Sequence, residues 1–249
     1  FFKQKTAYEI PKRDWSSDVC SSDLVQEGAK LARENHVDLI LAVGGGSVSD
    51  CCKVTSGAFD TLSHAMETYF GKPDENNLSD DINEAVMRSV IRNIRILLTD
   101  PENYDARSEL AQASAMAENG VLKIGKVTDF QAHQIEHQLG AYTNCNHGAG
   151  LAVIHPVLYR HIYKLVRRGL RGLLECLGIA PKGSDGETAA GIGALAAFIK
   201  EIVLPTTFTE LGIPADTDFR AIADSTNVTA GCCKKLTHDE IYEILQECL

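Results

Sequence analysis

The residues best suited to chemistry lie in one stretch, Asp129-Phe-Gln-Ala-His-Gln-Ile-Glu-His-Gln-Leu-Gly140, continuing to Asn146-His147-Gly-Ala-Gly150. It holds His133, His137 and His147, three of the eight histidines. Asp129 to Leu139 contains no Gly or Pro and alternates apolar and polar residues at helical spacing. That pattern predicts a helix with His133 and His137 one turn apart on one face. Gly140 is expected to end the helix and to leave His147 on the loop that follows. Two imidazoles on a helical face and a third from an adjoining loop can begin a metal site.

A fourth donor comes from earlier in the chain. Thr55 to Phe70 reads as a helix in which Asp60 and His64 are again i and i+4. Alone, such a pair is usually a surface hydrogen bond or a satisfied core histidine. Together, Asp60, His64, His133 and His147 make one carboxylate and three imidazoles, a set that accepts Fe(II), Zn(II) or a similar divalent ion.

The elements that must position these residues are mostly helical. Apolar periodicity predicts helices over Leu78 to Leu98, Tyr104 to Glu118 (ended by Asn119-Gly120), Gly148 to Tyr163, Gly186 to Val203, Phe219 to Ala223 and Ile241 to Leu249. Pro156 is expected to kink the third of these. A capping box, Thr237 with Glu240, announces the last. His155 and His161 read as structural. Upstream, Val25 to His36 reads as a helix and Val37 to Val43 as a buried strand. Gly44-Gly-Gly-Ser47 then forms a turn whose backbone N–H groups could cradle a phosphate, or could be no more than a turn.

Composition excludes several classes of partner. The 249-residue chain is 44% apolar and 23% charged, with net charge −10, values of an ordinary globular protein. Nucleic acid and anionic membrane are not expected to bind it, and Lys164 to Arg171 reads as a solvated helix face. Neither a spanning apolar run nor a signal-peptide pattern is recognised. The eight cysteines include the adjacent pairs Cys51-Cys52 and Cys232-Cys233 and no CxxC, which points to reduced thiols and a cytoplasmic setting.

Phe1 to Leu24 stands apart. It has no periodic apolar face and resembles the translation of a sequencing-library adapter, in Lys3 to Ile10 and again in Asp14 to Leu24. It is set aside from the fold, as a tag would be. The domain reading is therefore 1–24 foreign, 25–54 a remnant of an α/β domain and 55–249 a helical metal-binding domain.

Gly44-Gly-Gly-Ser-Val-Ser-Asp50, Phe59-Asp-Thr-Leu-Ser-His-Ala-Met-Glu67 and His133-x-x-x-His137…Asn146-His147-Gly-Ala-Gly150, taken in order, resemble the iron-containing alcohol dehydrogenases, in particular their butanol dehydrogenase-like branch. The resemblance covers about Val25 to Leu249. It implies a dehydroquinate synthase-like fold, in which a Rossmann-like domain and a helical domain flank the active site. It also implies that Asp60, His64, His133 and His147 are the metal ligands. His137 corresponds to the family's proton-handling histidine near the nicotinamide, and Gly45, Gly46, Ser47 and Asp50 to its pyrophosphate-binding part. The activity implied is hydride transfer between a small primary alcohol or aldehyde and NAD or NADP, with the ion polarising the oxygen. A homodimer is compatible with it.

One departure matters. In the family a long stretch with further strands and a Gly-Ser-Glu type turn separates the glycine turn from the first ligand helix. Here Lys53-Val54 runs almost directly into Thr55-Ser56-Gly57. A dinucleotide domain needs on the order of 100–150 residues, so the chain as written is expected to be impaired. A metal-binding helical remnant without turnover is the second reading. An all-α metal-dependent hydrolase is the third, disfavoured by the glycine turn.

Overall fold

A computed structural model describes residues 54–73, 77–100, 103–181, 187–227 and 234–249. The segment read as an adapter, the strand Val37 to Val43 and the glycine turn lie outside the described residues, as do Gly45, Gly46, Ser47 and Asp50. Among the described residues the fold is helical: α1 Val54–Tyr69, α2 Leu78–Thr99, α3 Tyr104–Glu118, α4 Gln131–Thr143, α5 His147–Ile162, α6 Arg167–Cys176, α7 Glu187–Glu201, α8 Phe219–Ser225 and α9 His238–Glu247. The sole β pairing among them is an isolated antiparallel bridge between Lys72 and Val127. No helix among them is long and apolar enough to cross a membrane.

Local chemistry explains where the helices start. Asn77, Asn103 and Asn146 each accept an N–H in the first turn of α2, α3 and α5, at 3.0 Å in every case. Thr237 and Glu240 complete the capping box of α9. Two expected boundaries move. The helix bearing His133 begins at Gln131, because Phe130 adopts a left-handed conformation (φ 52°). It runs through Gly140 to Thr143 and is ended by Asn144, also left-handed at φ 55°. His147 consequently lies on no loop: it is the first residue of α5, directly after its Asn146 cap.

α5 is the helix around which the rest packs. It is buried along almost its whole length, from Gly148 to Ile162, and touches α1, α4, α7 and α9. Its Pro156 is accommodated within the helix, which continues to Ile162. Leu151, Ile154, Leu158 and Tyr159 meet Phe59, Leu62 and Met66 of α1 in one continuous core. His155 and His161 are structural, as expected. His155 is fully buried with Nε2 2.5 Å from Ser63 Oγ, and burial pushes its pKa down to about 4. His161 pairs with Glu247 at 3.0 Å. The basic run Lys164 to Arg171 is only partly a solvated face, since α6 buries Leu170, Leu173 and Leu174.

A buried clamp sets α4 against α1. Lys126, wholly enclosed, donates to Asp80 Oδ1 at 2.6 Å and to the Tyr69 carbonyl at 3.2 Å, while Arg168 reaches the other oxygen of Asp80 at 2.9 Å. The bridge between Lys72 and Val127 lies beside it. Asp129 N–H then donates to the Glu67 carbonyl at 3.2 Å, so α4 starts from a fixed point on the last turn of α1.

Candidate metal centre

The three elements that carry the candidate ligands meet at one carboxylate oxygen. Asp60 and His64 come from α1, His133 from α4 and His147 from the first residue of α5. Nε2 of His133 and Nε2 of His147 each lie 3.3 Å from Asp60 Oδ1, and Nε2 of His64 lies 3.6 Å from the same atom. Ligand bonds of about 2.0–2.2 Å put neighbouring donors about 2.8–3.6 Å apart, from six-coordinate to tetrahedral geometry. The spacing about Asp60 therefore fits a common divalent ion. The ligand atoms of Asp60, His133 and His147 all lie within 4.8 Å of one another; His64 is outside that set. The reason is visible in its partner: His64 Nε2 is 2.6 Å from Glu118 Oε1.

The surroundings hold the rings with Nε2 inward. Nδ1 of His133 faces Glu67 Oε2 at 2.5 Å, and Nδ1 of His147 faces Glu136. Carboxylates on the far nitrogen fix both tautomer and orientation, the usual support of a metal-bound imidazole. Glu67 has a second task. Phe130 offers α4 no side-chain cap, and Glu67 instead accepts the N–H of Ala132 at 2.7 Å and that of His133 at 3.3 Å. The left-handed Phe130 packs its ring against His64 (5.3 Å between centroids) and His133 (5.1 Å), closing one side of the site.

Electrostatics follow from this crowding. Burial alone would raise the Asp60 pKa, but hydrogen bonds to His133 and His147 and the charge of His64 hold it well below the carboxylate range. Burial opposes a charge on His133, yet Asp60 and Glu67 lift its pKa to about 9; Asp60 and Glu136 lift that of His147 to about 10 against the same penalty. The cluster is thus built to hold positive charge beside Asp60. His137 is different. Its ring is exposed, stacks on His147 at 5.3 Å and 27°, and makes no contact with Asp60 among those seen. Partial burial and then the charges of His147 and His133 lower its pKa, so it is neutral near pH 7.

Glu67, Glu136, Glu118 and Phe130 were not singled out from the sequence. Glu67 carried a signal: Asp60, His64 and Glu67 are spaced 0, +4 and +7, one helical stripe. Glu136, three residues after His133, carried the same kind. Glu118 and Phe130 carried none, since their roles depend on how α3 and the α4 start meet α1.

A helical domain that brings the ligand atoms of Asp60, His133 and His147 within 4.8 Å of one another, with an acid behind each imidazole, offers the donor set of a mononuclear divalent-metal site. Comparison with known proteins makes this specific. Residues 54–249 match the profile of the Fe-containing alcohol dehydrogenase family, C-terminal, and residues 10–85 match that of iron-containing alcohol dehydrogenase. The chain belongs to the iron-containing alcohol dehydrogenase family. It is 25% identical to NADH-dependent butanol dehydrogenase B of Clostridium acetobutylicum, in an alignment covering 89% of this chain and 79% of that protein. NADPH-dependent aldehyde reductase YqhD of Escherichia coli is 29% identical over 65% of this chain and 42% of its own length. The crystal structure of NADH-dependent butanol dehydrogenase A from Thermotoga maritima superposes with a TM-score of 0.73 at 26% identity, covering 82% of this chain and 54% of that one. The chain thus spans about half the length of the solved structures it matches.

Proposed function

We propose that this chain carries the metal-holding helical half of an NAD(P)-dependent alcohol dehydrogenase or aldehyde reductase acting on a small primary alcohol or its aldehyde. The observation that carries the reading is the convergence of three Nε2 atoms on Asp60 Oδ1, at 3.3, 3.3 and 3.6 Å. In this reading Asp60, His64, His133 and His147 hold the ion, with Fe(II) and Zn(II) both compatible with the donor set. When bound, such an ion supplies Lewis acidity toward an alcohol or carbonyl oxygen.

The chain's own residues do the rest. Glu67 and Glu136 hold the rings of His133 and His147 with Nε2 inward. Phe130 walls one side of the site. His137, exposed and neutral, is placed beside His147 to accept or return a proton at its ring nitrogen. Gly45, Gly46, Ser47 and Asp50 are assigned to the pyrophosphate-binding part of the cofactor domain.

We assign residues 25–54 to a remnant of that domain, 55–249 to the helical domain and 1–24 to foreign sequence, the last on its adapter-like residues and against a family-profile match that begins at residue 10. Support for an internal loss comes from the alignment with butanol dehydrogenase B, which runs over 312 residues against the 249 of this chain. In that alignment, stretches of the enzyme stand opposite gaps in this chain. A metal centre without turnover is the second reading, and the same gap favours it. Fluorescence titration of the purified chain with NADH and NADPH is expected to show weak or no binding, and an aldehyde-reduction assay no turnover. Tight binding of either nucleotide would contradict the assignment of a lost cofactor domain.

A further inference from the structure

Besides Asp60, three carboxylates touch the histidines of the metal centre, and one of them touches from the wrong side for a supporting role. Glu67 and Glu136 contact Nδ1 of His133 and His147, the nitrogens facing away from Asp60. Glu118 contacts Nε2 of His64, the nitrogen that also faces Asp60. His64 Nδ1, the atom a supporting acid would take, is buried without a hydrogen-bond partner. Their exposure differs as well: Glu67 and Glu136 are almost fully enclosed, whereas the Glu118 side chain is 31% exposed, at the solvent side of the cluster.

We propose that Glu118, the last residue of α3, is a further metal-facing carboxylate that enters the coordination of the same ion alongside His64. The proposal rests on the metal centre described above. A metal-bound Nε2 has no proton to give, so the contact at 2.6 Å cannot persist as a hydrogen bond once His64 ligates. Either Glu118 withdraws or it becomes a donor to the ion itself. The distances favour the second course. Donors next to each other on a six-coordinate ion are about 2.8–3.1 Å apart when bonds are about 2.0–2.2 Å, so a carboxylate oxygen this close to His64 Nε2 is already near a neighbouring position.

His64 stands only 3.6 Å from Asp60 Oδ1. A small inward movement of its ring would bring Glu118 with it. The resulting set has two carboxylates and three imidazoles. It suits an ion of five or six ligands.

The test needs no catalytic activity. The full chain is stripped of metal with a chelator, and Zn(II) affinity is measured by competition. Co(II) is then added and its visible absorption recorded, since band intensity reports coordination number. Glu118→Gln and Glu118→Ala are each expected to weaken Zn(II) binding by about tenfold. Both should also turn the weak bands of five- or six-coordinate Co(II) into the intense bands of a four-coordinate ion. An unchanged affinity and spectrum would overturn the proposal. So would tighter binding, which would make Glu118 a competitor for His64. His133→Ala serves as the control. Wild-type binding that is lost in His133→Ala but indifferent to Glu118 overturns the role of Glu118 alone. A wild-type chain that takes up neither ion overturns the metal centre and this proposal together.

Discussion

Replacing Glu67 by alanine will cost the fold about 3–5 kcal/mol and weaken divalent-metal binding by roughly 10–100-fold. Both effects come from one side chain. Glu67 is 1% exposed and accepts from His133 Nδ1 at 2.5 Å and from the N–H groups of Ala132 and His133 at the start of α4. Truncation leaves those donors unpaired in a buried place, and it removes the negative charge that balances a His133 whose pKa is raised to about 9. It also frees the imidazole to rotate, so Nε2 is no longer held toward Asp60. Glu67→Gln separates the two contributions. The amide oxygen can still accept backbone N–H groups, so this variant should recover part of the stability and little of the metal affinity. Urea denaturation and Zn(II) competition on both variants measure the two effects. A Glu67→Ala chain as stable as the wild type would show that the buried acid does not anchor α4.

The second large effect is expected at Gly148, where α5 meets α1. A Cβ at this position would lie 2.1 Å from the Ser56 carbonyl oxygen and 2.7 Å from its carbon. Both are backbone atoms that no rotamer change can move. Gly148→Ala must therefore push the start of α5 off α1, at a cost of about 3 kcal/mol or somewhat more, the upper range of overpacking. His147 immediately precedes it, so the same displacement carries Nε2 away from Asp60 and should weaken metal binding by about tenfold or more. Gly193→Ala provides the contrast. It is exposed on α7 with nothing within 4 Å of the added carbon, and alanine there should stabilise by about 0.5–1 kcal/mol through helix propensity. Thermal and urea unfolding of the two variants should therefore differ in sign. Two destabilisations of equal size would show that the close approach at Gly148 has no special weight.

Much of this architecture was legible before any coordinates. The bounds of α3, the capping box of α9 and the pairing of Asp60 with His64 along α1 follow from spacing and end signals within a single element. Local patterns also brought His133 and His147 together as candidates. What spacing could not supply was the relation between elements. Gly140 looked like a stop, but α4 continues through it because the left-handed position falls on Asn144. His147 looked like a loop residue, whereas Asn146 caps α5 and makes His147 its first turn, so a rigid helix positions it. The acids behind the rings were harder still. Glu67 and Glu136 lie on predicted helical faces, but which imidazole each supports depends on the crossing of α1, α4 and α5. Glu118 gave no signal at all, because only the packing of α3 on α1 brings it to His64.

The most direct measurement is the metal content of the purified full chain, by elemental analysis, beside Asp60→Ala and His133→Ala variants prepared in the same way. The account predicts one divalent ion per wild-type chain and its loss from both variants. No metal in the wild type, or equal metal in all three, would contradict it.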